Sequence, residues 1–443
     1  MTREPVELLI EARWLLPIAP ANTVLEHHAV AVADGRIVAL GPTAELRARY
    51  EPREHVLREQ HALLPGLVNA HARVCHALLR GLPVRGPRRR WLAEVLQPVE
   101  ARAMSADFVR DGTRFGSAEM LRAGITCFAD PSPFPEEAAR AAAAAPMRAA
   151  IGLPVADVPT PWAESASAHF ERAAALWDVY RADARITLYF APLSRPALSD
   201  ATLARVRRVA DELEARIALH VGELSPPPSA DANGVADATG EGRPYGTRAL
   251  WHLAEQGLLR PGFTAIGAST LRREELELLA RHGAALVGCP QADLRLGCAP
   301  APLPLLPEDR TGLGTDSALA AGALDILAEA RCAALLSSLG ALEVLRVATL
   351  GGATALGLAA QIGSLEPGKA ADLTCLDLSG CAGAALARVA DAIVFGATRA
   401  QVSDVWSAGR AAVAGGRLLG FDAAELAALP LSWAQRLGAQ AAA

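Results

Sequence analysis

The chain runs to 443 residues, 51% of them apolar and 21% charged, a balance that fills a large core and excludes an intrinsically disordered chain. Acidic residues outnumber basic ones by 48 to 43, an imbalance that points neither to a nucleic-acid surface nor to an acidic tail. No uninterrupted run of about 18 strongly apolar residues occurs, so no membrane span is expected.

From the N-terminus, MTREPVELLIEARW carries acids and lacks a long apolar segment, so it does not read as a secretory leader. Residues 6–64 follow as short apolar runs broken by turn signals. Asp34-Gly35 falls between alternating runs in HAVAVADGRIVALG, a hairpin signal. The middle of the chain, 65–365, has a different texture. AGITCFAD, MRAAIGLPV, RITLYFAP, RIALHVGE, FTAIGAS, AALVGCP and TGLGTDS are strand-like, and helical stretches such as DATLARVRRVADELEAR separate them. About eight such units point to a parallel (β/α)8 barrel. PVRGPRRR (83–90) and the polar insertion after Pro226-Pro227-Pro228 both follow strands, which places them at the functional end of such a barrel. The far end returns to strand texture, with Gly415-Gly416 as a second hairpin signal. Two β-rich ends, 1–64 and 366–443, thus flank a TIM-barrel-like middle at 65–365. The seven cysteines (75, 127, 289, 298, 332, 375, 381) are odd in number and contain no C-x-x-C pair, which fits reduced thiols in the cytoplasm. Lys369 is the only lysine, and codon bias accounts for a basic set made almost wholly of arginine.

The segment LLPGLVNAHARVCHALLRGL (63–82) resembles the first-strand signature of the amidohydrolase superfamily, in the branch of methylthioadenosine/S-adenosylhomocysteine deaminases and triazine hydrolases. The resemblance continues through IALHVGE (217–223), GCPQADLRLG (288–297), GLGTDS (312–317) and ATLGGATALGLAAQIGSLEPGKAADL (348–373). Five motifs in order make it specific. It implies a (β/α)8 barrel at 65–365 with a small β-sandwich built from both chain ends (1–64 and 366–443), hydrolysis of non-peptide C–N bonds in aminopurine or triazine-like cyclic amidines, one divalent metal (zinc or iron) and a homo-oligomer, commonly a dimer. Nucleic acid and membrane are not implied. Carried over residue by residue, His71, His220 and Asp316 are metal ligands, Asp316 also orients water, and Glu223 moves protons.

Two positions depart from the pattern. The second histidine of the first strand is Arg73, and the sixth-strand histidine falls on Gly267. The seventh-strand motif is altered as well, to Gly288-Cys289-Pro290-Gln291-Ala292-Asp293. A guanidinium is permanently charged and has no lone pair for a metal. At about 4 Å from a unit charge the repulsion is roughly 4 kcal/mol at an effective dielectric of about 20, and a dication doubles it. Arg73 is therefore expected to supply positive charge itself, pairing with Asp316, Glu223 or both, and is a substrate-binding candidate together with Arg85 of the basic lip and Cys289. Arg85, Arg88, Arg89 and Arg90 also read as an ordinary solvated loop, and Cys75 and His76 as packing residues. Two readings stay open: a C–N hydrolase with a three-ligand metal and an altered site, and a metal-free, catalytically silent member that binds a ligand, such as a nitrogen heterocycle, or serves assembly.

Overall fold

The structure is a computed structural model that describes residues 3–86, 88–193, 198–221, 249–381 and 388–442. Eight parallel strands run in chain order around a barrel, from Leu67–Asn69 through Ile125–Asp130, Arg148–Val155, Ile186–Pro192, Arg216–His220, Phe263–Ile266 and Ala285–Gly288 to Thr311–Leu313. Their inner and outer faces are both covered, so the strands read as near-continuous apolar runs. The last strand meets the first through the Ala70 N–H, which donates to the Leu313 carbonyl at 2.8 Å. Just beyond, Asp316–Ser317 pairs in parallel with Ala72–Arg73. The barrel therefore closes at the segments that carry His71, Arg73 and Asp316.

The chain ends build a second sheet of eight strands in which Glu4–Leu15 and Tyr50–Pro65 are parallel neighbours and the remaining pairs are antiparallel. Asp34 and Gly35 turn between Leu25–Ala33 and Arg36–Pro42 with φ of 50° and 71°, the left-handed pair that a tight hairpin needs. Tyr50–Pro65 runs directly into the first barrel strand, and Leu373–Asp377 pairs back onto it. Val402–Ser407, Arg410–Ala414 and Arg417–Leu418 extend the sheet, and only beyond them does the chain leave it. The helix Ala423–Ala442 lies against the barrel helix Ala106–Arg122, where Trp433 stacks edge-on against Phe108 and donates Nε1–H to Asp111 at 3.0 Å. No helix among the described residues is long and apolar enough to cross a membrane.

Candidate functional site

The first and eighth strands fix the centre of the barrel mouth. The His71 carbonyl accepts the N–H groups of Thr315 (2.9 Å) and Asp316 (3.0 Å). Asn69 holds Thr315 from both sides, donating to its hydroxyl at 2.9 Å and accepting its N–H at 3.1 Å. Gly314 is required here, because a Cβ would sit 2.6 Å from the His71 carbonyl oxygen. Asp316 itself has φ of 50°, a left-handed conformation that costs a non-glycine residue on the order of 1–3 kcal/mol and clusters at functional sites. His220 ends the fifth strand, and Gly267 follows the sixth with φ of 68°.

His71 and His220 approach edge to face with their Nε2 atoms 2.9 Å apart. Asp316 Oδ1 lies 3.8 Å from His71 Nε2, and one ligand atom from each of the three residues falls within a 4.8 Å span. Burial pushes His71 well below the usual imidazole range, and burial takes His220 down to about 3. Both rings are therefore neutral. Burial alone would raise the Asp316 carboxyl, but Arg88 and Arg73, followed by the two imidazoles, hold it well below the usual range. The two arginines are close: Arg73 Nε is 3.4 Å from Oδ1, and Arg88 Nη2 donates to Oδ2 at 3.1 Å.

A further layer of carboxylates surrounds these cations. Arg73 Nη1 reaches Glu100 at 3.5 Å, and Glu100 also pairs with His76 Nε2 at 3.0 Å. His76 Nδ1 is 2.9 Å from the Ser317 hydroxyl, so both its nitrogens are spent away from the His71 cluster. Arg88 Nη1 lies 3.7 Å from Asp293, whose carboxyl burial pushes up to about 7 against the pull of Arg88. Arg88 is aimed by its neighbours: its N–H donates to the Leu296 carbonyl, and buried Trp91 in the same short helix donates to the Pro83 carbonyl. Asp130, at the end of the second barrel strand, accepts the Val74 N–H at 3.4 Å with one oxygen and has no partner for the other. Burial raises it to about 7.

The sequence candidates thus divide. His71, His220, Asp316 and Arg73 come together in the mouth, whereas Arg85 is exposed and Arg88 is a lip arginine that enters. Cys289 is buried at the start of the helix Pro290–Arg295, and burial, with Asp316 and Asp293 nearby, keeps its thiol protonated. Glu223 lies outside the described residues. Glu100 and Asp130 are site residues that motif reading did not single out, and Asp293 entered it only as the end of the altered seventh-strand motif. For Asp130 a signal existed, the lone acid closing the apolar run ITCFAD; Glu100 has none.

Two neutral imidazoles and a carboxylate are metal donors, and nitrogens 2.9 Å apart suit ligands at about 2.0–2.1 Å from one ion at a right angle. The surroundings do not suit it. Both Asp316 oxygens already face guanidiniums, and a dication held by Asp316 would stand beside two fixed positive charges. His71 Nδ1 is buried without a hydrogen-bond partner, where metal-binding histidines ordinarily donate to an acceptor.

Known proteins show the same architecture. The amidohydrolase family pattern matches residues 62–412. The chain belongs to this family. A 5-methylthioadenosine/S-adenosylhomocysteine deaminase from Teredinibacter turnerae is 33% identical over 98% of both chains, and one from Saccharophagus degradans is 32% identical over 99% of both. An adenosine deaminase structure from Xanthomonas campestris with bound zinc superposes with a TM-score of 0.92 and 39% identity, covering 99% of this chain and 100% of that one. An atrazine chlorohydrolase from Arthrobacter aurescens complexed with zinc shares the fold at a TM-score of 0.83 and 22% identity, covering 96% and 99% of the two chains.

Proposed function

We propose that this amidohydrolase binds a small nitrogen heterocycle in its barrel mouth and that standard zinc-dependent deamination is not its chemistry. One observation carries this reading: Arg73 and Arg88 both close on Asp316. In a deaminase-type site the corresponding carboxylate shares its charge with a metal and a water. Here it is neutralised by protein cations, which are hydrogen-bond donors only and cannot activate water by coordination. The ligand class follows from the relatives, which are named for adenosine, methylthioadenosine and triazine compounds. Planar guanidiniums stack on such rings and donate to their acceptor nitrogens. Gly267, where a Cβ would stand 3.3 Å from His220 Nδ1, offers no side chain for proton transfer.

The approach of His71 to His220 favours a second reading, a C–N hydrolase in which His71, His220 and Asp316 hold one zinc or iron ion. That ion would supply Lewis-acid activation of water, with Glu223 as the proton carrier. Elemental analysis of protein purified from zinc- and iron-supplemented culture, combined with ammonia release from adenosine, methylthioadenosine and a triazine, separates the two. The first reading expects well under one metal ion per chain and no ammonia above background. One tightly held ion per chain with turnover overturns it.

A further inference from the structure

The barrel is not filled along its whole axis. Inward positions of such barrels normally carry bulky branched side chains in successive layers. Here Ala70, Ala129, Ala150 and Ala218 stand where those would pack, and they help line a cavity of about 330 Å³. Its remaining lining comes largely from residues that begin or precede strands, among them Ile186, Thr187, Ala215 and Arg216. The cavity therefore lies at the N-terminal end of the barrel, opposite the mouth. The fifth strand spans both places: with side chains alternating along a strand, Arg216, Ala218 and His220 share one side. Arg216 lines the cavity and His220 sits in the mouth, about 13 Å apart at 3.3 Å per residue.

Two polar groups in this cavity are short of the partners that buried groups ordinarily have. Arg216 donates Nε–H to the Ala355 carbonyl at 3.0 Å, and no carboxylate among the described residues pairs with its guanidinium. Burial, with no opposing charge, lowers it to about 10. Thr187 Oγ1 is buried without a partner, whereas the buried hydroxyl of Tyr189 is turned to the mouth, toward Asp130 and Arg73. Arg216, Thr187 and the ring of Tyr189 belong to the cavity wall.

We propose that this basal cavity is a second ligand site that takes a small organic carboxylate, its charge paired with Arg216 and its apolar body against the alanine layer and Leu356. The terminal nitrogens of a guanidinium match a carboxylate in a two-pronged pair, and the hydroxyl of Thr187 adds a donor. A wholly apolar guest would leave both groups unsatisfied. A dianion such as a phosphate monoester is matched less well, because the two arginines of the wall, Arg216 and the exposed Arg181, are already matched in number by the carboxylates of Asp183 and Glu214. The volume is at the lower end of ligand cavities, which run from about 300 to 1,000 Å³, and so suits an acid with one ring.

The test is calorimetric titration of the full chain with phenylacetate, using the neutral phenylacetamide as its isostere. Wild type binds one saturating equivalent of phenylacetate and takes the amide at least tenfold more weakly. Arg216→Met, which keeps the volume and removes the charge, reduces phenylacetate to the amide level. Leu356→Trp fills the cavity from its rim, abolishes both, and carries the test should Arg216→Met fail to fold by circular dichroism. Absence of saturable binding up to roughly 10 mM, a range in which even weak fragments register, would mean that the cavity holds only water and overturns the proposal. So does phenylacetate binding that survives both substitutions, because the acid would then be held by the arginines of the mouth.

Discussion

Asp316 can share its negative charge with a metal or with guanidiniums, and residue 73 decides how much is left to share. Replacing Arg73 by histidine removes one cation and adds one lone pair. Arg73→His is accordingly expected to raise zinc affinity at least tenfold, about 1.4 kcal/mol, and Arg73→His with Arg88→Gln to raise it further, as read by competition with a chromogenic chelator. Restoring histidine at Gly267 is a poorer route, since the φ of 68° and the 3.3 Å approach to His220 make any side chain there strained. Asp130 gives a prediction of a different kind. Its folded pKa of about 7 lies above the unfolded value, so the native state holds the extra proton between about pH 4 and 7, and stability falls as pH rises through that window. Asp130→Asn cannot ionise. Its stability relative to wild type, from denaturant unfolding at pH 4, 6 and 8, should therefore increase with pH, with a ceiling of about 4 kcal/mol for a shift of roughly three units; a pH-independent difference would refute the assignment. The sequence disclosed His71, His220 and Asp316 because each sits in a motif at the end of a strand. It could not show which lip arginine turns inward: Arg85 and Arg88 differ only in that Arg88 is tied to Leu296 and anchored beside Trp91. Glu100 joins the site from 27 residues away through Arg73 and His76, a contact that no local pattern encodes.

At the scale of elements, the short 3-10 turn Val74–Leu79 connects the site to its support, the helix Ala106–Arg122. Ser105 caps that helix, accepting the Phe108 N–H at 3.2 Å. Gly112 lets it pack tightly: a Cβ there would stand 2.6 Å from Cys75 Cα and 2.8 Å from its carbonyl oxygen. Because the obstacle is backbone, it cannot rotate away. Gly112→Ala should destabilise by about 1–3 kcal/mol, the usual cost of overpacking, although alanine favours helix elsewhere, and should displace His76 from Glu100 and Ser317. Thermal unfolding, together with the chemical shift of the His76 ring, reads both effects. Regular elements of this kind were legible because their signals are local. The period of the strands, the Asp34-Gly35 and Gly415-Gly416 turns and the alternation with helices each declare themselves within a few residues. The parallel pairing of Glu4–Leu15 with Tyr50–Pro65, and the return of Ala423–Ala442 to the barrel, depend on contacts between distant segments.

For the whole molecule, the critical joint is where the sheet of the chain ends meets the barrel, and Asp372 stands in it. Its carboxylate accepts the Ala408 N–H at 2.7 Å and the Arg148 Nε–H at 2.9 Å, while its carbonyl accepts the Gly66 N–H at 2.8 Å just before the first barrel strand. Arg148 begins the third barrel strand, and both side chains of the pair are buried. Burial raises the Asp372 carboxyl above its ordinary range in spite of Arg148, so the attraction does not fully offset desolvation. A pair of that kind adds little over neutral packing but is costly to break, because the survivor is left charged in a dry site. Asp372→Asn keeps an acceptor for Ala408 and strands the Arg148 guanidinium, which should cost about 3–5 kcal/mol. Arg148→Met alone should cost a similar amount by stranding the carboxylate, less whatever is recovered by its protonation. The double substitution removes both charges and should recover most of the loss, giving a coupling energy of several kcal/mol in a double-mutant cycle. Urea unfolding followed by intrinsic fluorescence measures each corner. Trp14 and Trp406 report from the end sheet, and Trp91, Trp162 and Trp433 from the barrel side. If the joint couples the two units, both sets of probes should share one transition in wild type and separate in Asp372→Asn; additive losses with a single unchanged transition would show that the pair is not what fastens them.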